Sequence, residues 1–172
     1  EIVCTSLCGN KKSIKGLTAK GWNLLSSNFL QNETLKIHGQ IINQLRTKKT
    51  NWRVARKIFV NNNNKIAKDY VFSSQSPYYK TVSQILNKLK KYNRLDVVKK
   101  NPENKREKID IDDLMKKLVI CGDAIEVSEK INELKDKVGK FDTLTYVGVD
   151  WKDKNLAKKS LHLFSEKVSI KI

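Results

Sequence analysis

The sequence predicts an α/β fold in which short parallel strands alternate with helices. Three stretches carry this prediction: an apolar, β-prone run at residues 2–7, a β-branched and aromatic run at 51–60, and a strand-like run at 143–149 that precedes a final helix. Strands separated by helices favour a parallel sheet with right-handed crossovers. The closing order of helix, strand and helix is typical of a (β/α)8 TIM barrel. We therefore interpret residues 1–172 as the closing part of such a barrel.

The first sixty residues contain three predicted strands and two predicted helices. The first helix is expected at residues 10–20 and ends at Gly21, because glycine readily adopts the left-handed conformation that follows many helices. The second strand is expected at 22–27. The second helix is expected at 33–45, where apolar residues recur every four positions. The asparagine run after residue 60 ends the third strand.

A longer region, residues 61–117, follows the third strand and precedes the closing helix, strand and helix. We interpret it as a helical and loop insertion before the last strand, because such excursions between barrel strands are usually lids or substrate loops and not core. Its predicted pieces are helices at 65–72 and 81–92, a turn at 73–77, a mobile loop at 97–107 and a helix at 109–118. Beyond it, Asp123 is predicted to cap a helix that ends at Gly139.

The composition limits the class of protein. The net charge is +17, but 30 of the 35 basic residues are Lys, and they are spread over nearly every segment. Arg is the better residue for bidentate contacts to phosphates and bases, so its scarcity argues against a nucleic-acid-binding protein. No apolar run approaches the roughly 20 residues of a membrane span, so we expect no membrane partner and a cytoplasmic location. Three cysteines argue against a disulfide framework, and no His and Cys pattern indicates a metal site.

The chain is short for a complete barrel. It has 172 residues, whereas roughly 250 are typical, and it begins with Glu1 instead of Met. We expect it to be the C-terminal half of a longer protein. A half barrel leaves two sheet edges and one inner face uncovered. We therefore expect the chain by itself to aggregate or dimerise, and to be inactive.

Three stretches, taken in order and at their spacing, carry a resemblance to a known family. They are GWNLLSSNF at 21–29, NWRVARKIFV at 51–60 and FDTLTYVGVDW at 141–151. Together they resemble the bacterial luciferase-like flavin monooxygenases, and within that family the limonene-hydroxylase-like branch. The resemblance covers essentially the whole chain but only the second half of the family's barrel, which implies that the chain is strands five to eight of a (β/α)8 barrel.

The resemblance implies an enzyme that uses reduced FMN and O2 to oxidise a small organic substrate. It also implies a separate flavin reductase as a partner and a homo-oligomer for the full-length protein. Some relatives use a deazaflavin in place of FMN. The resemblance identifies neither the substrate nor the catalytic residues. Two other hypotheses stay open: a basic module that binds nucleic acid or an acidic partner, and a non-catalytic barrel subunit.

Five residues are predicted to contact the cofactor. The family's phosphate-contacting positions match Gly9, Asn10 and Ser13, at the start of a helix where unpaired N–H groups and the helix dipole favour an anion. An ordinary turn with a capping residue is the structural alternative. Ser27 and Asn28 end the second strand, and Asn28 replaces an aromatic that is common there in relatives. A plain turn at the strand end is the alternative for both.

Three further residues are predicted to line the substrate pocket. Lys57 lies on the third strand, where sulfonate-cleaving relatives carry His, so its presence argues against desulfonation. It is interpreted as an anion or flavin contact, with a surface lysine as the alternative. Asp150 and Trp151 follow the last strand, where barrel enzymes place working side chains. Val149 replaces a His of the relatives, so proton transfer by His is not predicted there, and packing of Trp151 on the barrel rim is the structural alternative.

Overall fold

The computed structural model describes residues 1–6, 11–45, 50–101, 104, 107–149 and 153–172. Five parallel strands form one sheet: β1 (Val3–Ser6), β2 (Asn23–Ser26), β3 (Trp52–Val60), β4 (Val119–Gly122) and β5 (Thr143–Val147). The helices are α1 (Lys11–Ala19), α2 (Asn32–Leu45), α3 (Asn64–Phe72), α4 (Pro77–Lys91), α5 (Ile111–Leu118), α6 (Ala124–Val138) and α7 (Lys154–Leu163), with short 3₁₀ or π turns at Leu95–Val98, Phe164–Val168 and Ser169–Lys171. The predicted α/β class with a parallel sheet is confirmed. Within these ranges no helix combines the length and apolar character needed to cross a membrane.

The sheet is built around β3, which pairs with three other strands. Val54 pairs with residues of both β2 and β5, so these two strands lie on opposite edges of β3. Lys57 pairs with both β4 and β5, so β4 lies on the same edge as β2, further along β3. Strand β1 pairs with β2. Because all pairs are parallel, the carboxyl ends of the strands lie at the same end of the sheet.

Strand β4 was not predicted. The sequence pattern indicates only four strands and none between residues 61 and 142. All four residues of β4 are buried, and they pair with the last four residues of β3. The strand is short and follows α5 without an intervening turn. Its apolar residues therefore continue the apolar pattern of the helix, and no break marks where the strand begins.

The region 61–117 contributes to the core, whereas the sequence pattern led us to expect that it lies outside the core. The rings of Phe59, Tyr70 and Tyr78 form one cluster, with centroids 4.9 Å apart for the first pair and 5.8 Å for Phe59 and Tyr78. The Tyr78 hydroxyl also donates to the Ile58 carbonyl over 3.1 Å. Aromatic packing and this hydrogen bond fix α3 and α4 against β3.

Two boundaries in this region differ from the predicted ones. Helix α4 begins at Pro77, four residues earlier than predicted, because Ser76 caps it by accepting a hydrogen bond from the Tyr79 amide and proline suits a first helical turn. The predicted mobile loop starts with two buried residues, Val97 and Val98. The Gln31 side-chain amide donates to the Val98 carbonyl, which anchors the start of that loop near the end of β2.

Side chains complete the edge of β3 beyond the end of β5. The Val60 amide donates to the Ser160 hydroxyl over 2.8 Å. The same hydroxyl lies 3.0 Å from the Tyr146 hydroxyl, and Ser160 is only 1% exposed. The Ser160 hydroxyl thus links α7 to the Val60 amide, which in the described part of the chain has no hydrogen-bond acceptor on a neighbouring strand.

Replacing Ser160 by Ala is expected to lower the free energy of unfolding by about 1–3 kcal/mol, because the Val60 amide is left buried without an acceptor. Urea denaturation checks this value. Ser169→Ala is the matched control, since Ser169 is exposed and its hydroxyl donates to the Ser165 carbonyl. Equal losses in the two variants would contradict the prediction.

Candidate functional site

The carboxyl ends of β1, β2 and β3 bring several of the predicted site residues to one end of the sheet. The Ser27 amide donates to the Ser6 carbonyl over 3.2 Å, which holds the end of β2 beside the end of β1. Asn28 and Phe29 follow directly. Lys57 lies three residues before the end of β3. Ligands of parallel α/β sheets bind outside this end of the strands.

The first turn of α1 has the chemistry of an anion site. It carries Lys11, Lys12 and Ser13, all exposed, and no acidic residue. The helix has nine residues and follows β1 after four intervening positions. The N-terminal end of the helix dipole and the adjacent ammonium groups would favour a phosphate. The predicted phosphate contacts Gly9 and Asn10 lie outside the described residues, so Ser13 is the one phosphate-contact candidate that can be placed.

Lys57 is buried at this end of the sheet, with 1% of its surface exposed. Its ammonium nitrogen Nζ lies 3.3 Å from the Asn28 Oδ1, to which it donates a hydrogen bond. The same nitrogen lies 4.1 Å from the centre of the Phe29 ring, in a cation–π arrangement. The structure thus brings two predicted site residues, Asn28 and Lys57, into contact. The alternative interpretation of Lys57 as a surface lysine is wrong.

Burial lowers the pKa of Lys57 from its ordinary value of 10.5 to about 7, and the positive charge of the neighbouring Arg56 acts in the same direction. Arg56 points to the other face of β3, where its guanidinium donates to the Asn32 Oδ1 over 2.9 Å and to the Ala55 carbonyl over 3.1 Å. Burial lowers the pKa of Arg56 to about 10, so it stays charged at neutral pH. Among the described residues, no carboxylate forms an ion pair with either group.

The Lys57 amine can therefore change its charge near neutral pH. As an ammonium it can donate a hydrogen bond to an anionic or carbonyl oxygen, and as a neutral amine it can accept a proton. Its partner Asn28 supplies a neutral acceptor. A buried lysine with a lowered pKa at the ligand-binding end of a sheet is a candidate for a functional role.

Some of the remaining candidates lie outside the described residues, and others have structural roles. Asp150 and Trp151 lie outside the described residues, so their predicted pocket role is not placed. His38 is fully buried, and its Nδ1 lies 2.8 Å from the Ser26 hydroxyl, so it is a satisfied core residue. His162 is exposed and lies 3.2 Å from Glu166, a carboxylate partner that the sequence pattern did not assign to it. In the described part of the chain no group of three His, Cys, Asp or Glu residues could hold a metal ion.

Phe29 is the residue of this site that sequence reasoning missed. It lies one position past Asn28, the position at which the resemblance implies an aromatic residue. The ring stands one residue later in this chain and packs against the Lys57 ammonium. The cue was present in the sequence as the run Ser27-Asn28-Phe29.

Comparison with solved structures identifies the class of fold. The chain superposes over 100% of its length on the oxygenating constituent of 3,6-diketocamphane monooxygenase from Pseudomonas putida, a type II Baeyer-Villiger monooxygenase in complex with FMN, with a TM-score of 0.78 and 22% identity. A coenzyme F420-dependent tetrahydromethanopterin reductase from Methanopyrus kandleri matches over 98% of the chain, with a TM-score of 0.57 and 11% identity. EDTA monooxygenase from Chelativorans sp. BNC1 matches over 96%, with a TM-score of 0.56 and 11% identity.

These matches show a shared α/β fold. The chain spans about half of each solved structure: 49% of the Pseudomonas protein, 50% of the Methanopyrus reductase and 42% of EDTA monooxygenase. No protein-family model matches the sequence. No curated protein matches it either.

Proposed function

We propose that this chain is part of a flavin-dependent monooxygenase that uses reduced FMN and O2 to oxidise a small organic substrate. The limonene-hydroxylase-like branch of the luciferase-like family and a half-barrel of strands five to eight are part of the proposal. The observation that carries it is the convergence of the α1 start, the end of β2 and Lys57 at the carboxyl end of one parallel sheet. The shared fold with an FMN-bound monooxygenase supports the same interpretation.

The residues present fit the phosphate of FMN. The first turn of α1 carries two lysines and the Ser13 hydroxyl, and no acidic residue lies within that turn. In this proposal Ser13, with Gly9 and Asn10, holds the phosphate, while Ser27 and Asn28 contact the flavin ring. A deazaflavin with a phosphate-bearing tail would suit the same groups, and FMN is our first choice because the Pseudomonas complex contains it.

The cofactor, when bound, supplies the chemistry of oxygen activation. The chain's own residues position ligands and exclude water. Lys57 would donate a hydrogen bond to an oxygen of the bound flavin or substrate, with Asp150 and Trp151 completing the pocket. We further propose that a separate reductase delivers the reduced flavin and that the full-length enzyme forms homo-oligomers in the cytoplasm.

Titration of FMN into the chain, followed by quenching of flavin fluorescence, tests the phosphate site. FMN is expected to bind at least about tenfold more tightly than riboflavin, which has no phosphate to engage the charged donors of α1. Ser13→Ala is expected to weaken FMN binding by about 1 kcal/mol or more and to leave riboflavin binding unchanged. Equal affinities for FMN and riboflavin would refute the phosphate site.

Ser165→Ala is the control for this titration. Its hydroxyl is exposed near the end of the chain, and it donates to the His162 carbonyl. The control should bind FMN as the unchanged chain does. A similar loss of affinity in Ser13→Ala and Ser165→Ala would show that the effect does not come from α1.

A further inference from the structure

A cleft of about 470 Å³ lies where β5 ends beside β3. The residues that line it include Tyr78, Tyr146, Lys154, Ala157, Lys158 and Leu161. Its volume is within the range of small-molecule pockets, about 300–1,000 Å³. Tyr146 pairs with Arg56, whereas Lys57 pairs with Val147. Because side chains alternate along a strand, Tyr146 lies on the opposite sheet face from Lys57, whereas Tyr78 packs against Phe59 at the end of β3.

The wall of the cleft offers little free hydrogen-bonding capacity. The Tyr78 hydroxyl already donates to the Ile58 carbonyl. The Tyr146 hydroxyl already lies 3.0 Å from the Ser160 hydroxyl. The tyrosine rings, Ala157 and Leu161 therefore present an apolar and aromatic surface to whatever enters. Leu161 is 51% exposed, so this surface continues to the mouth of the cleft.

The cationic groups of the cleft lie on one helix. Lys154 and Lys158 are one turn apart on α7, and both are exposed. Within the described part of the chain neither forms an ion pair. No acidic residue is among the described residues that line the cleft. As far as the described residues go, the cleft therefore combines an apolar wall with positive charge that no acidic side chain offsets.

We propose that this cleft binds an amphipathic organic anion, with an aliphatic chain against the tyrosines and Leu161 and a carboxylate beside Lys154 and Lys158. Burial of the ligand's aliphatic chain supplies the free energy of binding, at roughly 25 cal/mol per Å² of apolar surface. The two ammonium groups select an anion over a neutral molecule of the same shape, since charge-assisted hydrogen bonds are the stronger ones. Neither group belongs to the proposed flavin site, so this binding does not depend on that proposal.

Calorimetric titration of octanoate into the chain tests the site. One octanoate is expected to bind per chain. Lys158→Gln should weaken binding about fivefold, the effect of one exposed ion pair of about 1 kcal/mol. Lys159→Gln is the matched control, because Lys159 is the next residue of α7, is exposed and is absent from the lining. It should change the affinity less than about twofold.

Two further measurements complete the test. Ala157→Phe places a ring inside the cleft and should abolish octanoate binding. Octanol, which carries no charge, should bind more weakly, with the same affinity for the Lys158→Gln and Lys159→Gln variants. The proposal is overturned if octanoate does not bind, if the two lysine variants lose affinity equally, or if a folded Ala157→Phe variant still binds it.

Discussion

Replacing Lys57 by Met should make the folded chain more stable at pH 6, by up to about 5 kcal/mol. The reason is the cost of keeping an ammonium in a buried site: a fall in pKa from 10.5 to about 7 corresponds to about 1.4 kcal/mol for each unit. Methionine has a similar length and no charge to desolvate. The gain is reduced because the substitution also removes the hydrogen bond to Asn28 and the cation–π interaction with the Phe29 ring.

The same substitution should change how stability depends on pH. Between about pH 7 and pH 10.5 the unfolded chain keeps the Lys57 proton while the folded chain has released it. The unfolded state then binds more protons, so Lys57 makes the folded chain more stable as the pH rises across this interval. Below pH 7 both states are protonated, and the cost of the buried charge is fully present. The Lys57→Met variant lacks this rise.

Chemical denaturation of both chains from pH 6 to pH 9 measures the effect. The quantity to follow is the difference in the free energy of unfolding between variant and unchanged chain, because other groups titrate in both. Burial raises the pKa of the Cys121 thiol to about 11, for example, which lowers stability at alkaline pH in either chain. The difference should shrink as the pH rises. Parallel pH profiles, or a variant less stable at pH 6, would contradict the prediction.

Lys20→Met provides the control for Lys57→Met. The Lys20 ammonium also lies over an aromatic ring, 4.9 Å from the centre of Trp22, but the residue is exposed. Removing this charge should change stability by less than about 0.5 kcal/mol at any pH in the range. The comparison separates the effect of burial from the effect of a cation–π interaction.

The sequence predicted the sheet well wherever strands were separated by turn signals. Strands β1, β2, β3 and β5 were all expected at nearly their observed positions, because Gly or Asn residues lie close to an end of each. Strand β4 was missed because Val119 continues the apolar run of α5 without a break. Its identity as a strand depends on pairing with β3, a contact distant in sequence that no local pattern encodes.

The site was predictable only in part, because it too depends on contacts between residues that are distant in sequence. Alternation along β3 places Lys57 on the same face as Ala55 and Phe59, both of which are apolar. The general preference of lysine for the surface instead predicted an exposed Lys57 side chain. Burial of Lys57 results from the Asn28 and Phe29 side chains at the end of a neighbouring strand. Which strand is the neighbour follows from sheet order, and the sequence alone leaves that order open.

Replacing Trp52 by Ala should lower the free energy of unfolding by about 3–5 kcal/mol. The side chain is fully buried at the start of β3 and contacts three other parts of the chain. Its indole nitrogen donates to the Ser26 hydroxyl over 2.8 Å, and its ring meets Phe141 edge to face with centroids 6.0 Å apart. Alanine would leave a cavity among β2, α2 and the segment before β5. Trp22→Ala, at a half-buried tryptophan, should cost less.

The contact between Trp52 and Gly39 allows a sharper test of the same packing. A Cβ atom added at Gly39 would lie 2.8 Å from two carbons of the indole and 2.7 Å from the Val138 carbonyl oxygen. Gly39→Ala should therefore destabilise the chain by about 1–3 kcal/mol, because neither neighbour can move without disturbing β3 or α6. In the Trp52→Phe background the outer indole carbons are absent, and Gly39→Ala should cost less than it does in the unchanged chain.

A double-mutant cycle over these two positions, measured by urea denaturation, gives the coupling free energy directly. We expect about 0.5–2 kcal/mol of coupling, with Gly39→Ala less costly when Trp52 is Phe. Part of the cost should persist, because the Val138 carbonyl lies as close to the added Cβ as the indole does. Strict additivity of the two substitutions would show that the indole and α2 are not in the close contact that joins the sheet to its helix layer.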